Sequence, residues 1–278
     1  MTNDYKSYSK EELVELNKEN YNQLFEWYTN TPTGKTYRDE KIRRFETSVP
    51  DPIWNGVLSS NHNENEIEEA IEEQLAYFNS KNKHGMMWYT YQTEKPPYNN
   101  QILESKGFKL LGSGTPLMSC DLTYLPEPKQ VPGLEIKPVR TEEELELFFD
   151  VIGSRWDLGE RVFDMKGDVE CRYGFSEDNP RQMYLGYLDG LPVSSNFLIY
   201  DEDVVGLYKI ATLPDYGRRG IGTALTLMPL FDARDRGYNI AILQSSGMGI
   251  NLYKRLGFKE DGLQYWYMYT WADQVKTI

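Results

Sequence analysis

Apolar positions recur along this chain with two different spacings, and the switches between them give an order of elements. In the first half, "WNGVLSS" reads as a strand. "ENEIEEAIEEQLAYFNSK" sets Ile67, Ile71, Leu75 and Phe78 at helical spacing, and "GMMWYTY" returns to a strand. "NNQILESKGF" predicts a helix and "PLMSCDL" a further strand. The tract "LPEPKQVPG", Leu125 to Gly133, then interrupts the patterning with three prolines and a glycine. Proline fixes the backbone and removes donors, so this tract reads as an extended linker that divides the chain.

After it, "LEIKPVR" alternates like a strand, and "TEEELELFFDVIGSRW" carries a helix start at Thr141 with acidic residues in its first turn. Three strand-like runs follow in "QMYLGYLDGLPVSSNFLIYDEDVVGLYKIATL". The first two join at Asp189 and Gly190, a dipeptide suited to a tight hairpin. A helix is expected from Ile221 to about Arg236, closed by Gly237, with Pro229 inside it as a source of strain and a kink. "NIAILQSS" reads as a buried strand, "MGINLYKRLGF" as a short helix and "LQYWYMYTW" as a last strand. This order predicts an α/β layered fold, a central sheet with helices on its faces. "LESKGF" in the first half and "LYKRLGF" in the second repeat a helix end followed by glycine and phenylalanine, which suggests an internal duplication.

Composition narrows the function classes. Apolar residues are 40% and charged residues 26% of 278, the balance of a globular protein. No apolar run is long enough to cross a bilayer and the N-terminal stretch lacks the order of a signal peptide, so a cytoplasmic protein without membrane partners is expected. A net charge of -13 disfavours nucleic acid as a partner and is compatible with a cationic substrate. Cys120 and Cys171 lack the spacing of a metal or redox site, and no metal is expected.

The chemistry concentrates in "KIATLPDYGRRGIGTALT", Lys209 to Thr226, where a strand runs through a glycine-rich turn into a helix. Such a junction offers unpaired backbone N–H groups and the positive end of a helix dipole, a site for a phosphate or pyrophosphate. Glycine reaches backbone angles other residues avoid and lets oxygens approach. The spacing of Gly217, Gly220 and Gly222 excludes both the nucleotide-triphosphate loop and the dinucleotide fingerprint.

The segment "ATLPDYGRRGIGTALT" resembles motif A of the GNAT superfamily of N-acetyltransferases, and "LQSSGMGINLYKRLGF" resembles the family's second signature. The resemblance covers about Leu134 to the C-terminus. The first half is similar to a degenerate domain of the same kind, so the chain resembles the tandem GNAT proteins of bacteria: a degenerate domain over 1–125, a linker over 126–133 and an acetyl-CoA-binding domain over 134–278. The fold so implied is a duplicated, mixed, mostly antiparallel sheet with helices on both faces.

By this resemblance the co-substrate is acetyl-CoA. Ile210, Ala211 and Thr212 would pair with its pantetheine arm, and Gly217, Arg218, Arg219, Gly220, Ile221, Gly222 and Thr223 would hold its pyrophosphate. Tyr253 aligns with the general acid, and Ser246 stands where the family often has an asparagine that contacts the cofactor. The family's leading Gln or Arg falls on Gly217, which puts the arginine contact of the loop in doubt. Glu64, Glu66, Glu68 and Glu69 occupy the corresponding helix start of the first half, where carboxylates repel a pyrophosphate. The general base is sought among water, Asp201, Glu202 and Asp203.

An acceptor amine, small molecule or protein, would meet Trp156, Asp157, Glu160 and Asp164 and the aromatic strand of Tyr265, Tyr267 and Tyr269, unless these aromatics are core. Two other readings stand beside the enzyme: an acyl-CoA-binding sensor or scaffold without turnover, and an interaction protein in which the duplicated fold serves as a homodimer platform.

Overall fold

The computed structural model describes residues 5–30, 33–92, 99–156 and 174–271. The helices among them are α1 (Lys10–Thr29), α2 (Ile67–Ser80), α3 (Asn99–Ser105), α4 (Glu142–Trp156), α5 (Ile221–Asp235) and α6 (Ile250–Arg255). The strands of the N-terminal part are β1 (Lys35–Arg38), β2 (Ile42–Glu46), β3 (Asn55–Ser60), β4 (Gly85–Gln92), β5 (Lys109–Leu110) and β6 (Thr115–Asp121). Those that follow are β7 (Leu134–Pro138), β8 (Arg181–Leu188), β9 (Leu191–Tyr200), β10 (Val204–Thr212), β11 (Ile240–Gln244) and β12 (Lys259–Thr270). All the elements expected from the patterning are present, while α1, the β1–β2 hairpin and the two-residue β5 are additions.

The chain forms two compact units, each built from separate stretches. The first comprises Met1–Asn20 and Leu117–Asp261, the second Tyr21–Pro116 and Gly262–Ile278. The proline-rich tract 126–133 is irregular and lies inside the first unit, where Val131 packs with Leu134, Leu188, Val193, Tyr216 and Ile221.

In the first unit the strand order is β6-β11-β10-β9-β8-β7, antiparallel throughout except for the parallel pair β10 and β11. Alternation along the central strands feeds two layers. Val205, Leu207, Ala241 and Leu243 join a core with Leu225, Leu227 and Leu230 of α5 and Tyr253 of α6. Val204, Ile240 and Ile242 meet Leu13 of α1, so this sheet carries helices on both faces.

In the second unit the order is β1-β2-β3-β4-β12, with β5 also on β12, and again one pair, β3 with β4, is parallel. Its core gathers Phe78, Trp88, Leu103 and Tyr267. The alternating tyrosines are thus largely structural: Tyr265 and Tyr269 pack on this cluster, and the Tyr267 hydroxyl donates to Glu104 Oε1 at 3.1 Å.

Local signals explain the boundaries. Asp189 and Gly190 both have positive φ, 50° and 84°, as the two-residue turn joining β8 and β9 demands. α4 begins with a reciprocal cap, the Glu144 N–H donating to Thr141 Oγ1 and the Glu144 carboxylate accepting the Arg140 N–H. Gly237, with φ 97°, ends α5, and the Tyr238 N–H returns to the Ala233 carbonyl at 3.1 Å.

α5 runs from Ile221 to Asp235 as one helix through Pro229. Proline has no N–H to offer the carbonyl four residues back, which is that of Leu225. Asn196, fully buried on β9, supplies the donor instead, its Nδ2 lying 2.9 Å from the Leu225 oxygen.

The suggested duplication has a structural counterpart. After α3 and after α6 the same cap recurs: Gly107 and Gly257 have φ 92° and 99°. The Phe108 N–H donates to Leu103 O, and the Phe258 N–H to Tyr253 O, each at 3.0 Å. Leu103 therefore occupies in the second unit the place that Tyr253 has in the first.

No described helix is long and apolar enough to cross a membrane. Cys120 is a free, buried thiol, which burial pushes up to about 12; Cys171 lies outside the described residues.

Candidate functional site

β10 and β11 run as a parallel pair only from Val204 with Ile240 to Leu207 with Leu243. Beyond that point β10 continues to Thr212 along β9 alone, and its register shifts between Tyr208 and Ala211. Lys209 takes the left-handed φ of 50° in this bulge, and its carbonyl accepts the Ser195 hydroxyl at 3.0 Å. The two central strands thus fork, leaving the β11-facing backbone edge of Ile210, Ala211 and Thr212 outside that ladder. Ile210 packs against the core that includes Tyr253, and Ala211 is buried.

The chain then passes through the short helical turn Pro214–Tyr216 into the loop Gly217–Gly220 and so into α5. The glycines of this loop do not share one reason. Gly217 has φ -63° and ψ 159°, angles any residue adopts, so its expected conformational role is not needed. The left-handed positions are Arg218, φ 59°, and Gly220, φ 85°, the latter at the N-cap of α5. Only at Gly220 does glycine relieve the strain.

With glycine there, no side chain caps the helix, and the N–H groups of Arg218 through Thr223 have no backbone acceptor among the described residues. Arg218, Arg219 and Gly220 are exposed. A row of free N–H donors at the positive end of a 15-residue helix suits an anion.

Gly222 brings three elements together. A Cβ there would lie 3.6 Å from Thr212 Oγ1 at the end of β10 and 3.9 Å from Leu252 Cδ2 on α6. Tyr253, the next residue, is 8% exposed, with its ring edge-on to Phe258 at 5.7 Å. It lies so close to Gly249 that a Cβ there would sit 2.7 Å from the ring. Burial pushes its phenol up to about 12. Ser246 is exposed, and its carbonyl accepts the N–H groups of Gly249 and Ile250 at 2.9 and 3.2 Å, the turn that starts α6.

Other expectations fall elsewhere. Asp201, Glu202 and Asp203 form the turn before β10, with Asp203 nine residues from Thr212, roughly 30 Å at strand rise. They stand at the opposite end of β10 from Ile210, Ala211 and Thr212. The side chain of Trp156, with Asp157, Glu160 and Asp164, lies outside the described residues. In the second unit, Glu66 is paired with Lys41 at 2.8 Å and Glu68 with Lys106 at 2.7 Å.

One residue at the fork was not singled out from the sequence. Lys209, partly buried in the bulge, has its ammonium pulled down to about 8 by burial. Its signal is a lone basic residue within the apolar strand "VVGLYKIAT". No group of His, Cys, Asp or Glu among the described residues is arranged to hold a metal ion.

Residues 179–260, which span the fork, the loop and α5 and α6, match the family model described as an acetyltransferase (GNAT) domain. The chain carries a GNAT domain. Acetyl transfer from acetyl-CoA is the general chemistry of that family. Solved structures agree on the fold of the GNAT domain and its surroundings. A GCN5-related N-acetyltransferase from Kribbella flavida superposes with a TM-score of 0.70 at 16% identity, covering 90% of this chain and 94% of the other. A functionally unknown conserved protein from Staphylococcus epidermidis gives 0.65 at 14% identity, with 85% and 94% covered. A tandem GNAT protein from the clavulanic acid biosynthesis pathway gives 0.63 at 10% identity, with 90% and 87% covered. No curated protein gave a significant match to the sequence. At these identities the likeness establishes the fold, a mixed, mostly antiparallel sheet with helices, and leaves the substrate to the site.

Proposed function

We propose that this chain transfers an acetyl group from acetyl-CoA to an amine, the amine attacking the thioester directly. The observation that carries the reading is the fork: β10 leaves β11 after Leu207 and runs to a left-handed glycine that opens a row of uncapped N–H groups. Ile210, Ala211 and Thr212 would pair with the pantetheine arm. Gly217, Arg218, Arg219, Gly220, Ile221, Gly222 and Thr223 would surround the pyrophosphate, through backbone donors more than through side chains. Ser246 would lie at the α6 end of the site.

Attack needs a neutral amine held in line with the thioester carbon, and a proton or strong hydrogen bond for the departing thiolate. Tyr253 is the candidate donor. Its phenol at about 12 faces a thiol near 8.5, so full transfer is uphill by about 5 kcal/mol. A hydrogen bond to sulfur as charge develops there is the better role for it.

The halves 1–125 and 134–278, joined through 126–133, are read as a degenerate and a donor-binding GNAT copy. Leu103 in place of Tyr253 and the acidic start of α2 support one donor site per chain. The acceptor is an amine borne by a small molecule or a protein, and the setting is cytoplasmic.

Titration calorimetry with acetyl-CoA should give one site per chain. Thiol release in a panel of amines should then exceed background, and Tyr253→Phe should reduce turnover at least about tenfold while leaving donor affinity within about twofold. Donor binding without any thiol release would favour the second reading, a non-catalytic acyl-CoA-binding module, for which the depth of Tyr253 speaks.

A further inference from the structure

The fork has a third participant. The first residue past the last paired position on each strand, Tyr208 on β10 and Gln244 on β11, is hydrogen-bonded through its side chain to α1. The Tyr208 hydroxyl donates to Asn20 Oδ1 at 2.7 Å, and the Gln244 amide donates to Asn17 Oδ1. Each asparagine then donates to a strand carbonyl: Asn17 Nδ2 to Leu243 O and Asn20 Nδ2 to Ile199 O, both at 3.2 Å.

Asn17 and Asn20 are 1% and 0% exposed, three residues apart and so on one face of the helix. Gly206 makes the approach possible, since a Cβ there would lie 1.9 Å from Asn20 Oδ1. Buried amides in a helix core are costly unless satisfied, and these four bonds satisfy them, three at the branch point and one on the neighbouring β9.

An apolar face on α1 would leave the strands free to zip further. We propose that Asn17 and Asn20 are positioning residues that hold β10 and β11 apart at the width required by the acyl-bearing arm of the donor. The inference rests on the reading of the fork as the acetyl-CoA site. It makes a stretch near the N-terminus, outside the GNAT match at 179–260, part of the donor site. The asparagines act through the strands and touch neither phosphate nor thioester, so they should affect the arm of the donor and not its nucleotide end.

The test compares two probes, acetyl-CoA and adenosine 3′,5′-bisphosphate, by calorimetry on the full chain at a temperature where circular dichroism shows every variant folded. Asn17→Ala and Asn20→Ala should each weaken acetyl-CoA binding about three- to tenfold, the range expected for losing one net hydrogen bond, with the bisphosphate within twofold of wild type. Tyr208→Phe removes one of these bonds from the strand side and should do the same, which keeps the inference testable if an asparagine variant fails to fold.

Leu13→Ala is the control. It loosens α1 from Val204, Ile240 and Ile242 without touching the fork, and should lower the melting temperature with both affinities unchanged. Parallel loss of both probes in the asparagine variants, unchanged acetyl-CoA affinity in them, or an equal loss in Leu13→Ala, would overturn the positioning role. A wild-type chain that binds the bisphosphate and acetyl-CoA not at all would overturn the donor site itself.

Discussion

Asp261 is 6% exposed, and its Oδ2 meets no donor among the described residues. Burial raises its carboxyl to about 6 against the pull of the Ser119 hydroxyl and of Lys10 and Lys259. With the unfolded value near 3.9, the native state holds the proton more tightly than the unfolded chain. The corresponding stability is present below pH 4 and lost as pH rises through about 6, an effect of about 3 kcal/mol. Asp261→Asn should abolish this slope, and urea melts of both chains between pH 4 and 7 will check it. Gly220→Ala places a Cβ in the left-handed region and should cost about 1–2 kcal/mol, while Gly222→Ala meets only ordinary contacts in a helix and should be neutral or stabilising in the same melts. At this scale the sequence located the loop but not the division of labour within it. The φ values that separate Gly220 from Gly217 depend on where the helix starts, and Lys209 stood out only once its bulge was visible.

Elements were far more legible, because hairpin, linker and helix caps are written in local chemistry: Asp189 with Gly190, the prolines of 126–133, Thr141 with Glu144. α1 was the exception, though Ser9 and Glu12 form a reciprocal cap at its start. Its inward face sets the buried Asn17 and Asn20 among Leu13, Val14, Tyr21 and Leu24, so the apolar stripe that normally announces a helix is interrupted by the two residues that bond to the fork. α5 was recognised but the partner of its freed carbonyl was not, since the compensating Asn196 lies 33 positions upstream on another element. That pairing predicts a strong thermodynamic coupling. Asn196→Ala should cost about 1–3 kcal/mol in the natural chain by leaving the Leu225 carbonyl buried and unmet. In a Pro229→Ala background the restored N–H takes that carbonyl, and the cost should fall by about 1–2 kcal/mol in a double-mutant cycle read by chemical denaturation.

For the whole molecule, the linker at 126–133 invites the construction of residues 134–278 as a free-standing GNAT domain. The first unit, however, includes Met1–Asn20 and β6, and β6 pairs with β11 from Leu117 to Asp121. The fragment 134–278 should therefore lack cooperative unfolding, whereas the full chain should show it; thermal melts followed by near-ultraviolet circular dichroism will distinguish the two. Packing thus marks units of folding that differ from the halves divided at 126–133. The same interleaving sets a timetable for biosynthesis. The first unit cannot close until Asp261 has been made and the second needs residues from Gly262 onward, so neither can finish folding while the ribosome is still translating most of the chain. At common elongation rates, α1 waits roughly 12–50 s for the strands it must hold apart.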